Sequence, residues 1–277
     1  MEKETAVKKR GKKSARTIIS NVVLVIAVAV FLFSGYKLFT IYSEYGKGEK
    51  EYDDVLEAVV IEQQAQSETD EKEQEVNFKV DFEKLRSLNS EAVAWIRFDE
   101  PSKINYPVVQ GSDNAKYLNT TFEGQRNGAG ALFVDADNTS DFSDRNTFIY
   151  GHNMKNGSMF GQLRKYKTKT FCEKNPYFYI YTPDGKQSKY QVFAVCVVED
   201  TSDSYRKFYS GDKDFEEYLS QIRGCALYDT DIQVTADSQI VSLSTCTNVS
   251  ETQRLLVHGV KIEEKPVEGQ QADTMEE

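Results

Sequence analysis

Apolar residues fill Ile18 to Phe33 almost without a break, and the run extends to Ile41 with Lys37 as its only charge. That length suits a membrane-spanning helix, which needs about 20 residues. Ahead of it, residues 1–17 carry Lys3, Lys8, Lys9, Arg10, Lys12, Lys13 and Arg16. A basic flank stays in the cytoplasm, so residues 18–41 read as a signal anchor that leaves everything after Ser43 outside. The long apolar segment, followed by no convincing small-residue cleavage site, disfavours a cleaved signal peptide. The text then turns polar. Residues 42–77 read as a charged extracytoplasmic stalk. Within it Val55, Leu56, Val59 and Val60 repeat at helical spacing, and Gln66 to Glu75 lack any apolar stripe, as a linker does.

From residue 78 the periodicity shortens. Phe82, Leu85 and Leu88 share one helical face and lead into Ala92 to Ile96. Short strands follow at Ile104 to Val109, Ala131 to Val134, Thr147 to Tyr150, Tyr177 to Tyr181, Tyr190 to Val198, Ile240 to Leu243 and Leu255 to Ile262. Turn-rich text such as Gly124-Gln125-Arg126-Asn127-Gly128 and Pro183-Asp184-Gly185 separates them. The pattern predicts a mainly β domain over residues 78–264, a closed barrel of about eight strands. One connection differs: Phe215, Leu219 and Ile222 fall on one helical face between Asp212 and Ile222, which predicts a helix before the strand at Ile240. From Glu263 to Glu277 the chain is acidic and poor in apolar residues, so 265–277 reads as a disordered tail.

A chain of 277 residues with 39% hydrophobic content supports one good core with appendages. A net charge of −10 argues against nucleic acid as a partner. The two histidines lie far apart and no Cys-x-x-Cys occurs, so no metal site or cofactor is expected.

The candidate chemistry lies in Ser242-Leu243-Ser244-Thr245-Cys246, in Arg254 on the following apolar run, and in Ile149-Tyr150-Gly151-His152-Asn153-Met154. Two antiparallel strands joined by the polar turn Thr247 to Glu251 would set Cys246 beside Arg254. A free thiol, of pKa ~8.5, is only a few per cent thiolate at neutral pH, so it needs a base such as His152. A guanidinium is permanently charged and can donate hydrogen bonds to an oxyanion. Each residue also has an ordinary reading: an inert buried cysteine, a packed loop histidine, a surface charge at a strand start. Flanking hydroxyls at Ser244, Thr245 and Thr247 argue against an apolar burial for Cys246.

These motifs resemble the sortases, membrane-anchored cysteine transpeptidases of Gram-positive bacteria, whose signature is a TLxTC motif with an arginine on the next strand. Gly157-Ser158-Met159-Phe160 with Leu163, Tyr106-Pro107-Val108-Val109-Gln110 and Asp113-Asn114-Ala115-Lys116-Tyr117-Leu118 make the likeness strongest for class B, over roughly residues 78 to 262. Ser242 stands where that family usually has Thr. The resemblance implies Cys246 as nucleophile, His152 as general acid and base, and Arg254 as stabiliser of the oxyanion or substrate. It implies Ser244, Thr245, Asn114 and Leu118 as substrate-pocket residues and a helix before the cysteine strand. Implied partners are secreted proteins with a C-terminal sorting motif, and an amine from a cell-wall precursor or a pilin Lys.

Some assignments stay open. His258 lies on a strand with Arg254 and Leu256, where a structural role is expected. Asp135 and Asp141 are both candidates for an acid behind the imidazole, and spacing favours neither. With Cys246 free, three cysteines remain: Cys196 on an apolar strand reads as a buried thiol, and a Cys172–Cys225 bridge is one option. A hydrolytic cysteine peptidase of the same fold and a non-catalytic tethered binding domain are the competing functions. A papain-like fold is disfavoured, because its Cys-Gly-x-Cys-Trp text is absent.

Overall fold

The computed structural model describes residues 15–63 and 77–267. The chain divides into two units, Met1–Glu44 and Tyr45–Glu277. Helix α1 (Ala15–Val59) begins in the first and ends in the second. Apolar side chains from Ile19 to Phe39 are exposed all round it. Among the described residues this is the one helix long and apolar enough to cross a membrane.

In the second unit the last turns of α1 are amphipathic, and Tyr52, Val55 and Val59 are buried in its core. That part of the expected stalk is therefore structural body. A short ribbon continues it: β1 (Val60–Gln63) pairs antiparallel with β2 (Asn77–Val80), with Val60 opposite Val80. The linker expected at Gln66 to Glu75 lies outside the described residues. Helix α2 (Phe82–Leu88) follows, capped by the Asp81 carboxylate, which accepts from the Lys84 amide.

Eight described strands then close a barrel: β3 (Ala92–Phe98), β4 (Asn105–Val109), β5 (Leu132–Val134), β6 (Asn146–Tyr150), β7 (Tyr177–Thr182), β8 (Lys186–Glu199), β9 (Ile240–Cys246) and β10 (Gln253–Pro266). Around the barrel they run β10-β8-β7-β3-β4-β5-β6-β9, and β9 closes onto β10. Two pairings are parallel, β4 with β5 and β6 with β9. Closure removes sheet edges and lets alternate residues fill the interior. Phe178 stacks there between Phe98 and Tyr190, and Trp95, on the other face of β3, is wholly buried with its indole N–H donating to Asn105 Oδ1 at 2.6 Å.

Helix α3 (Lys169–Lys174) lies between β6 and β7, and α4 (Asp212–Cys225) fills the connection before β9 as expected. Phe215, Tyr218, Leu219 and Ile222 of α4 are buried with Phe193, Leu256 and Val260, forming a second apolar cluster on the outer face of β8–β10.

Two expectations are corrected. The disulfide joins Cys196 to Cys225, with Cα atoms 5.5 Å apart, and Cys172 is a buried free thiol. The end of α4 returns the chain to β8, where Ala226 bridges Cys196 and the Leu227 amide donates to the Val195 carbonyl at 2.8 Å. The acidic stretch from Glu263, whose part from residue 265 reads as a tail, is ordered as far as Val267. Glu263 to Pro266 extend β10 opposite Lys189 to Lys186, with Glu263 directly opposite Lys189, and Val267 is buried. Residues 268–277 lie outside the described part.

One polar network crosses the layer between barrel and α4. Ser242 Oγ donates to Asn146 Oδ1 at 2.7 Å and so accepts from His258 Nδ1, also at 2.7 Å. Asn146 Nδ2 donates to the Tyr218 hydroxyl at 2.9 Å. His258 is fully buried and its Nε2 has no hydrogen-bond partner, so burial drives its pKa down to about 3. The imidazole is neutral when folded and protonates near pH 6.5 when unfolded. Stability is therefore constant above that value and falls below it, at a rate approaching about 1.4 kcal/mol per pH unit. Denaturant titrations from pH 7 to pH 5, above the carboxylate range, should show this slope in the parent and none in His258→Gln.

Candidate active site

The parallel pairing of β6 with β9 sets Tyr150 opposite Ser244, and the Gly151 amide continues the ladder by donating to the Ser244 carbonyl at 3.1 Å. Two residues past that pair on each strand stand His152 and Cys246. Antiparallel β10 enters at the same rim, with Arg254 directly opposite Cys246. Gly151 allows this approach: a Cβ there would come within 2.3 Å of Leu132 and 2.7 Å of Phe160. Asn153 Nδ2 donates to the Cys246 carbonyl at 2.7 Å, and Asn248 Nδ2 to the Asn153 carbonyl at 3.1 Å, so the two strand ends are tied together.

Alternation decides which neighbours belong to the site. Cys246, Ser244 and Ser242 share the outer face of β9 with Arg254, Leu256 and His258 across the ladder. Cys246 is partly exposed at its end. Thr245 points the other way from Cys246 and Ser244, buried in the barrel interior opposite Leu255. Ser244 is buried, with its hydroxyl 2.7 Å from the Tyr205 phenol. Burial is the main influence raising the Tyr205 pKa to about 12, and Arg254 opposes it, so the phenol stays protonated.

His152 Nε2 lies 2.7 Å from the Leu118 carbonyl oxygen, which can only accept, so Nε2 carries the proton and Nδ1 is the free basic nitrogen when the ring is neutral. Leu118 thus meets the site through its backbone, while its side chain is exposed. Asn114 is exposed. Its Oδ1 accepts from the Ala136 amide at 2.8 Å and shapes the loop after β5. The Arg254 guanidinium donates to the Glu251 carbonyl at 2.6 Å and to Asp200 Oδ2 at 3.0 Å. His258, in the network behind Ser242, is remote from solvent and has the structural place expected of it.

Neither candidate acid touches the imidazole. Burial would raise the Asp135 pKa, but hydrogen bonds from Lys207 at 2.8 Å and Tyr150 at 2.7 Å hold it below the usual carboxylate range. Asp141 is lowered by Ser143, whose amide it accepts at 3.0 Å. Sequence reasoning missed Asp200, Tyr205 and Asn153. Asp200 and Tyr205 follow β8, and only the β8–β10 register, which the residue pattern does not reveal, brings them to the rim. Among the described residues no cluster of His, Cys, Asp and Glu could hold a metal ion.

A thiol, an imidazole and a guanidinium converging on one barrel rim are the equipment of cysteine acyl transfer. The family model for the sortase domain matches residues 100–262. Sortase B of Listeria monocytogenes is 33% identical over 235 residues, 83% of this chain and 91% of its own length. The structure of Bacillus anthracis sortase B in complex with AAEK1 superposes with a TM-score of 0.67 at 32% identity, over 80% of this chain and all of that one. A Staphylococcus aureus sortase B-substrate complex gives 0.62 at 31% identity, over 66% and 84%. The chain belongs to the sortase family of cysteine transpeptidases, in its class B.

Replacing Asp135 by Asn should cost about 1–3 kcal/mol of stability, because Lys207 and Tyr150 lose a buried charge. The pH profile of acyl transfer should keep its shape; loss of one limb of that profile would place the carboxylate in the chemistry.

Proposed function

We propose that this enzyme sits in the cell membrane by residues 18–41, with 1–17 in the cytoplasm and the barrel outside, and joins secreted proteins to an amine at the cell surface. The Cys246 thiolate attacks the carbonyl of a Thr in a short C-terminal sorting motif, of NPxTN or xPxTG type. The C–N bond breaks as His152 delivers a proton to the leaving amine, and a thioester remains on Cys246. An amine from a cell-wall precursor or a pilin Lys then attacks the thioester, gives its proton to His152 and releases the thiolate. Arg254 stabilises the oxyanion in both halves.

The observation that carries this reading is the register of three neighbouring strands, which sets Arg254 opposite Cys246 and the end of β6 beside them. The Asp200 and Glu251 contacts hold the guanidinium at that rim. Ser244, beside Tyr205 on the Cys246 face, is the better-supported pocket residue, and the Staphylococcus aureus relative has been seen in a substrate complex.

The full chain in detergent, incubated with a panel of sorting-motif peptides, should gain the mass of an acyl group on Cys246, and Cys246→Ala should gain none. Arg254→Lys, which keeps charge but loses the planar fork, should slow acylation about 100-fold. Added amine should divert the product from acid to amide; hydrolysis unaffected by amine would make the enzyme a peptidase. Full activity in His152→Ala, with His258 intact, would overturn the assignment of the base.

A further inference from the structure

The hydrogen bond from His152 Nε2 to the Leu118 carbonyl directs attention to what holds that carbonyl in place. Leu118 ends a single 3-10 turn, Lys116–Leu118, and a buttress stands behind it. Gly130, at φ +58°, is packed so closely that a Cβ on it would come within 2.4 Å of the Tyr117 oxygen and 3.0 Å of the Leu118 oxygen. The next amide, that of Ala131, donates to the Tyr117 carbonyl at 3.0 Å. The Gly130 carbonyl accepts a 2.6 Å hydrogen bond from the Tyr52 hydroxyl. That same hydroxyl accepts from the Phe122 amide at 3.2 Å. One phenol from the final turns of α1 therefore fastens both arms of the loop from Leu118 to Gly130.

A second route leads from the same ring to the other side of the imidazole. Tyr52 meets Tyr106 edge to face, with centroids 5.3 Å apart. The Tyr106 hydroxyl accepts from the Met159 amide at 3.1 Å. Met159 bridges Asn153, and the Phe160 amide donates to the His152 carbonyl at 3.0 Å. Tyr52 is buried, and burial pushes its pKa well above the usual phenol range, so it acts only as a neutral donor and acceptor.

We infer that Tyr52 is a positioning residue for His152, acting through the Leu118 carbonyl and Tyr106, so that the helix carrying the apolar N-terminal segment also sets the geometry of the imidazole. Its effect on catalysis rests on the proposed role of His152; its effect on the ring itself does not. The two are separable because the chain has only two histidines, and His258 serves as a buried reference.

The test uses the full chain in detergent micelles, labelled with 15N-histidine. Tyr52→Phe removes the hydroxyl and keeps the ring against Tyr106. Val59→Ala, also on α1 and buried, removes core packing with no hydrogen bond to the loop, and serves as a destabilised control. In the parent, the His152 Nε2–H should give a 1H–15N cross-peak protected by its carbonyl partner. Tyr52→Phe should broaden that peak by exchange with water, leave the His258 signals in place, and lower the acylation rate at saturating peptide about tenfold with KM within about twofold. Val59→Ala should lower the thermal midpoint more and change neither the peak nor the rate. An unchanged His152 peak in Tyr52→Phe, or equal changes in Val59→Ala, would overturn the inference. Loss of the peak with an unchanged rate would sustain the positioning and overturn the catalytic role of His152.

Discussion

The parallel ladder between β6 and β9 is the constraint on which the site depends. Parallel neighbours end at the same rim of a barrel, so a residue just past β6 and one at the end of β9 meet however much chain lies between them. An antiparallel partner on the far side of β9 must begin where β9 ends, and this brings Arg254 in. A one-residue slip in either ladder would turn Cys246 or Arg254 to the opposite face. The main core is packed with Leu243, Leu255 and Val257, and the cluster under α4 with Leu256 and Val260, so burial on both faces opposes such a slip.

The layer between barrel and α4 handles a related difficulty, that of carrying polar side chains through a buried region. Ser242, Asn146, Tyr218 and His258 satisfy one another in a chain of hydrogen bonds, leaving one imidazole nitrogen unmet. Above them, Ser244 and Tyr205 continue the polar line towards the cysteine. The Ser242 and Ser244 hydroxyls on the Cys246 face are thereby held by fixed partners.

Features carried by local pattern were readable from the chain alone. The apolar run after the basic N-terminus, the period-2 strands around Cys196 and Val257, and the amphipathic stretch at Phe215, Leu219 and Ile222 each announced their element. Cys246 beside Arg254 was readable because a single short turn joins their strands. What escaped depended on register between distant segments. Asp200 reaches Arg254 only through the long β8–β10 pairing, and Tyr52 reaches the His152 loop only because the end of α1 packs into the core. Composition misled at two places. An apolar strand made Cys196 look like a sealed thiol, although α4 returns Cys225 to it. Acidic residues after Ile262 looked like a tail, although Glu263 lies opposite Lys189 in the ladder and Glu264 pairs with Lys186 at 3.7 Å.

The arrangement of the four cysteines has a practical consequence. Two are consumed in the bond between β8 and α4, and Cys172 is sealed beneath the surface, so the native fold offers a single reachable sulfhydryl at the mouth of the barrel. A bulky electrophile applied to the folded enzyme would therefore report on Cys246 alone. Its stoichiometry would count folded molecules directly, and a fluorophore or cross-linker placed there would mark the barrel rim without any engineered handle.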